Sequence, residues 1–491
     1  MKSRPYRRPI MVLKIENKIK DSAALKILLT IAFAAAYIVS EPTLSSTYFL
    51  YFTYRMQTLV IYANYAALAL AYLLTVLQLV SMYRKKEKPD TGMLLPYIAI
   101  YIGYLFATLM NPETGSLARW SDSFFYSLIP LLTAFLFCCT DGGKRYFLTT
   151  VSMIYLVLAI LNIIFYFFPQ LYIGEGKDWR EEFFLGFENK AGWSLMMGAF
   201  FTLMDWKLNG RLWKTVLYFA VLLVNIRLIW CITALIGTIL LFGYFLLPFA
   251  RKWMQKWDFL VFVGIILVLF CCLMFFQKYT VSSEPIALII EEVFKKKRSL
   301  SGRLPLWQLG VAIVMKKPWF GVGAQLHPGF ILMADEYGVW SWYHAHNELL
   351  QTWYEGGLPM VILAVFMLAC AARRFRHCED RTLAGLCKML LFIFLFMQLS
   401  DNMPYYLWYM SAYVAHVGVM LCGRPAPAPE LNPDPNPALN PEPNPNLNLN
   451  LNPNPALNPA TNLNPDQKEP NEASAEKEEK DHDYLAEPTG E

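Results

Sequence analysis

The residues best suited to chemistry stand together in Tyr343-His344-Ala345-His346-Asn347-Glu348. Histidine titrates closest to neutrality of all side chains, so one held beside a hydroxyl can take its proton at physiological pH. A His-x-His pair also suits zinc, but no outward cysteine cluster supports a metal site, and neither metal nor cofactor is expected. The bland alternative is a pair of interfacial histidines hydrogen-bonded to their own loop. Arginine brings the complementary chemistry, because its planar guanidinium grips phosphate bidentately and stays charged. Arg303 opens SGRLPLWQLG, Arg180 lies in DWREEFFLGFENKAGW, and Arg227 interrupts a long apolar run. Arginine at membrane depth is costly, which makes Arg227 a functional candidate against simple snorkelling. The run Lys295-Lys296-Lys297-Arg298 reads first as a solvated face and only second as an attractor of anions.

The elements that must position these residues are membrane helices. The chain is 56% hydrophobic and 16% charged, against about a quarter charged in soluble domains. Twelve apolar stretches run approximately over 24–40, 57–82, 94–110, 123–139, 147–168, 193–206, 215–226, 228–249, 258–276, 357–372, 389–402 and 408–422. Backbone in lipid must satisfy its own hydrogen bonds, so the expected fold is all-α. Lys and Arg cluster in alternate loops, which the positive-inside rule places in the cytoplasm with both termini. That parity depends on two spans meeting near Arg227; one kinked span there would invert everything downstream. The net charge of +5 is thus a topology signal, with no nucleic-acid partner in it. No cleavable signal peptide stands out, and the nine cysteines fall in spans or cytoplasmic loops, so no disulfide framework is implied.

The expected organisation is a basic leader (1–23), nine spans (24–276), a long extracytoplasmic loop between the ninth and tenth spans (277–356), three more spans (357–422), and an Asn/Pro/Leu-rich disordered cytoplasmic tail (423–491). A loop of that length, with its own helical periodicity, is functional more often than connecting. Of the outward histidines, His327, His344 and His346, the last sits one to three turns above the tenth span, where a lipid-linked substrate presents its headgroup. Arginines that hold a diphosphate, beside a histidine offered to a sugar hydroxyl, describe glycan transfer from a polyprenyl diphosphate carrier. The alternative is a multi-span transporter or flippase for lipid-linked glycans, which should show related halves; none is visible.

These residues carry a family resemblance. Ser301-Gly302-Arg303 with Trp307, then Pro318-Trp319-Phe320-Gly321-Val322-Gly323, then His344-Ala345-His346-Asn347-Glu348 and Glu355-Gly356-Gly357-Leu358 resemble, in order and spacing, the O-antigen ligase and polymerase superfamily of bacterial membrane glycosyltransferases. The segment GFENKAGWSLMMG, with Asn189, resembles the family's glycine-Asn segment at the sixth span. The resemblance implies an inverting, metal-independent transfer from an undecaprenyl diphosphate-linked glycan to a glycan or lipid acceptor, at the outer face of the bacterial cytoplasmic membrane. On that pattern His346 is the general base and Arg303, with Arg227, holds the diphosphate. Arg180, His344, Asn347, Trp307 and Asn189 complete the substrate site. One departure is Cys231-Ile232 where the family often carries Ser-Arg; Arg180 is the natural substitute if Arg227 does not fill that role.

Overall fold

The computed structural model describes residues 23–44, 54–84, 86, 90–168, 183–276, 291–292, 303–325, 344–401 and 406–423. All lie in the first of two compact units, Met1–Pro429; the second, Glu430–Glu491, lies outside the described residues. The described residues form helices in chain order: α1 (Ala23–Ser40), α2 (Tyr54–Arg84), α3 (Leu94–Met110), α4 (Leu117–Cys138), α5 (Asp141–Phe167), α6 (Glu188–Asn209), α7 (Leu212–Ile229), α8 (Ile232–Leu246), α9 (Pro248–Lys256), α10 (Phe259–Phe275), α11 (Arg303–Lys316), α12 (Glu348–Arg376), α13 (Arg381–Gln398) and α14 (Tyr409–Cys422). Among these residues the only strand-like pairing is one isolated bridge between Phe183 and Gly186.

Six helices, α2, α4, α5, α7, α12 and α13, are long and apolar enough to cross a membrane, and α8 with α9, bent by 94°, makes a seventh if that pair is one span. Four more, α1, α3, α10 and α14, are apolar but shorter. The chain is therefore an all-helical, multi-pass membrane protein. At the centre lies α6, buried at every residue from Ala191 to Asp205. Its glycines set the packing distance. A Cβ on Gly192 would stand 2.5 Å from the Cys231 sulfur, and one on Gly198 would overlap the Tyr218 hydroxyl, which donates to Leu195 O at 2.7 Å.

The apolar run around Arg227 is divided in two, but at Trp230 rather than at the arginine. Trp230 adopts the left-handed conformation (φ 57°) and its N–H donates to Ile226 O at 2.8 Å, closing α7 before Cys231 opens α8. A non-glycine residue in that region costs about 1–2 kcal/mol, so the stop is enforced by tertiary packing. Asn225 is no break at all. It is buried, accepts from Asn162 Nδ2 at 2.7 Å and donates to Ala159 O at 3.0 Å, while Leu185 N–H donates to Asn162 Oδ1 at 2.9 Å. This staples α7 to α5 and to the segment entering α6.

The described basic loops gather at one end of the bundle. Arg374 pairs with Asp90, Arg376 with Asp258, and Lys207 with Asp380 at 4.0 Å; Lys388 donates to Trp257 O at 2.9 Å. Because α7 rises from that end and α8 returns to it, Arg227, in the last turn of α7, sits near the opposite end.

Candidate active site

At the end opposite the basic loops, α11 lies against the start of α12. Gly310 permits this approach, since a Cβ there would stand 2.8 Å from Leu350 Cδ2. Trp307, on the next turn toward the N-terminus, is buried and donates its indole N–H to Ala345 O at 2.8 Å, while Ala345 N–H donates to Gln351 Oε1 at 2.8 Å. Both backbone groups between the two histidines are thereby fixed. Asn347 caps α12, accepting from Leu350 N–H at 2.9 Å, and its amide donates to Leu399 O at 2.7 Å. That second bond reaches the segment leaving α13, which holds the residue that completes the site.

That residue is Asp401. His346 Nδ1 lies 2.9 Å from Asp401 Oδ1, across 55 positions of sequence. Burial pushes the Asp401 carboxyl up, but the hydrogen bond and charge of His346 outweigh it, with Arg303 and then His344 adding to the effect, and hold it below its ordinary value. The carboxylate is thus ionised at neutral pH. An ionised partner keeps the imidazole proton on Nδ1 and places the ring lone pair on Nε2, the arrangement that a general base requires. His346 reaches this pose through a left-handed backbone, φ 46°, a strain of about 1–3 kcal/mol of the kind that clusters at functional sites. Its N–H donates to His344 Nδ1 at 3.2 Å, which puts the His344 ring proton on Nε2 and makes that nitrogen a donor. The two rings are close and tilted, with centroids 3.9 Å apart and planes 44° from parallel. The Arg303 guanidinium begins α11, half-buried, and contributes to the field that Asp401 feels.

The glycine-rich turn braces this assembly. Val322 N–H donates to Tyr354 O at 3.0 Å, Gly323 N–H to Glu355 O at 2.8 Å, and Leu358 N–H to Pro318 O at 2.8 Å. Gly321, Gly323 and Gly357 all have positive φ (57°, 77° and 71°), and side chains at the first or last would run into the partner backbone. Gly357 also interrupts α12, so the short helix that follows the histidines is separated from the rest by a kink. The far side of the turn docks on the end of α3 and the α3–α4 loop, where Thr114 donates to Val322 O at 2.6 Å and Ala324 N–H donates to Thr108 Oγ1 at 3.0 Å. Gln351 links brace to site, because its amide nitrogen donates to Glu355 Oε1 at 2.7 Å while its oxygen holds Ala345.

The structure therefore brings together His344, His346, Asn347, Trp307 and Arg303, and it uses Asn347 and Trp307 to hold the backbone. Arg227 is exposed in the last turn of α7, its guanidinium 5.7 Å from the centre of the Trp230 ring, a cation–π arrangement. Asn189 is half-buried in the first turn of α6. Neither has a described contact with the histidine pair. Arg180, His327 and the Lys295–Arg298 run lie outside the described residues. Asp401 is the functional candidate that sequence reasoning missed. Its one signal was a lone acidic residue, in QLSDN, at the outward end of the eleventh apolar stretch.

Residues 232–365 match the family described as O-Antigen ligase, a segment from α8 to the first half of α12 that contains Arg303, Trp307, His344, His346, Asn347 and the glycine turn. Asp401, Arg227, Arg180 and Asn189 fall outside it. No curated protein matches the chain. The match at residues 232–365 supports placing this segment in the O-antigen ligase and polymerase superfamily.

Proposed function

We propose that this protein transfers an oligosaccharide from a polyprenyl diphosphate carrier, of the undecaprenyl kind, to a glycan or lipid acceptor at the outer face of the bacterial cytoplasmic membrane. The observation that carries this reading is the His346–Asp401 pair, a base oriented by a buried carboxylate and set in the field of Arg303. His346 Nε2 takes the proton of the acceptor hydroxyl as its oxygen attacks the anomeric carbon from the face opposite the diphosphate, so configuration inverts. His344 donates from Nε2 to a substrate oxygen. Arg303 pairs with the diphosphate and stabilises the charge that grows on it as it leaves, with no metal required. Arg227 and Arg180 are the candidates for the second cation on that group, and Asn189 for a contact to the glycan. Twelve spans, a catalytic loop at 277–356 between the ninth and tenth, and cytoplasmic termini are the topology consistent with the basic loops sharing one end.

The test is an assay with purified full-length protein reconstituted in liposomes and a polyprenyl diphosphate-linked oligosaccharide. Growth of chains, or their movement to a second lipid, separates polymerase from ligase. His346→Ala should abolish transfer while the protein remains inserted and abundant. Full activity in that variant would remove His346 as the base.

A further inference from the structure

Spacing along the chain offers the His-x-His pair no third ligand, but the fold supplies one. Among the described residues, His344, His346 and Asp401 form a group in which one ligand atom from each lies within 4.8 Å of the other two. We propose that these three residues bind a divalent transition metal ion, for which zinc is the fitting chemistry, and that the bound ion shuts off transfer by occupying the base. The binding half of this inference stands on the geometry alone; the inhibitory half rests on His346 being the base.

Two imidazoles and one carboxylate are a borderline-soft donor set. It suits zinc and its neighbours, whereas calcium and magnesium prefer all-oxygen sites. Three protein ligands also leave one tetrahedral position for water or a substrate oxygen. The backbone directs the set. In an extended strand, residues two apart point to the same face but stay separated by a full pleat repeat of about 6.5–7 Å. The left-handed turn at His346 instead folds its ring onto that of His344, giving the 3.9 Å centroid separation. Asp401 closes the third side from 2.9 Å and is only 4% exposed, while both histidines are half-buried and so within reach of solvent. The hydrogen bonds to Ala345 from Trp307 and Gln351, and that from Asn347 to Leu399 O, already hold the ligand-bearing backbone. Liganded zinc sits about 2.0–2.2 Å from nitrogen and oxygen, so the side chains need only close inward on the ion.

The ion takes the place of the proton between His346 and Asp401, so binding releases protons. It also takes the imidazole lone pairs from acceptor chemistry. Arg303, whose charge reaches Asp401, opposes a second cation there.

Full-length protein stripped with a chelator and titrated with cobalt(II) tests the binding half. A visible absorption band of tetrahedral cobalt should grow, and zinc should displace it. Asp401→Asn and His344→Gln should each weaken cobalt binding by about tenfold or more, whereas His377→Ala, at the basic end, should leave it unchanged. Equal binding in the parent and both variants, or no band in the parent, overturns the site; thermal melts confirm that the variants are folded. Zinc should then inhibit glycan transfer, and chelator should restore it. Binding without inhibition overturns the inhibitory half, while absence of transfer in chelator with any donor defeats the proposed function and leaves the cobalt result standing.

Discussion

Asp401→Asn is the sharpest test of the catalytic reading. The carboxylate is buried and accepts from His346 Nδ1 at 2.9 Å, so it stabilises the imidazolium that forms when Nε2 takes a proton. A hydrogen bond to a charged group contributes about 1.5–3 kcal/mol, and at about 1.36 kcal/mol per decade its loss predicts a fall in kcat on the order of 10- to 150-fold. KM for the lipid-linked donor should move little, because Asp401 does not face the diphosphate in this mechanism. The pH profile carries independent information. An amide stabilises the imidazolium less than a carboxylate does, so the acidic limb of the transfer rate should shift to lower pH in the variant. Stability follows the opposite sign. Since His346 holds the folded Asp401 carboxyl below its ordinary value, the pair's contribution is fully present above about pH 4, the unfolded carboxylate range, and is lost as the pH falls through the lower folded value. The assay is the initial rate of transfer in liposomes from pH 5 to 9, with thermal melts at the same points. A variant with parental kcat and an unmoved acidic limb would refute the dyad as the source of the base.

Three further outcomes are expected. Arg303→Lys should lower kcat/KM by at least about tenfold, because a point charge cannot replace the bidentate fork on a diphosphate; donor titration at fixed protein reads this directly, and retained activity would remove the guanidinium from the site. Gly357→Ala should destabilise the protein by about 1–3 kcal/mol from its left-handed backbone alone, and by more from the overlap with Trp319 O, seen as a lowered melting temperature; an unchanged melt would mean that the brace is soft. Truncation after Gly423 should leave insertion and transfer intact, with loss of activity in the liposome assay assigning the tail a role.

The sequence by itself determined the all-helical class, the alternation of basic loops and the chemistry of the HAHN segment, because hydropathy, charge and residue type are local properties. It also singled out Arg303, Trp307 and the glycine turn, without showing why the turn needs glycine. That reason is a backbone-on-backbone approach between Trp319–Gly323 and Tyr354–Gly357. The place where the apolar run breaks belonged to packing too: the polar interruption at Asn225 is a buried staple to α5, and the chain turns at an aromatic residue that no turn propensity favours. Most of all, the carboxylate that orients His346 was decided by tertiary structure. Asp401 reaches the histidine from the far end of a different helix, brought there by the bond between Asn347 and Leu399 O. A catalytic pair is a matter of ångströms in space, and spacing along the chain reports such distances only within a single helix or strand.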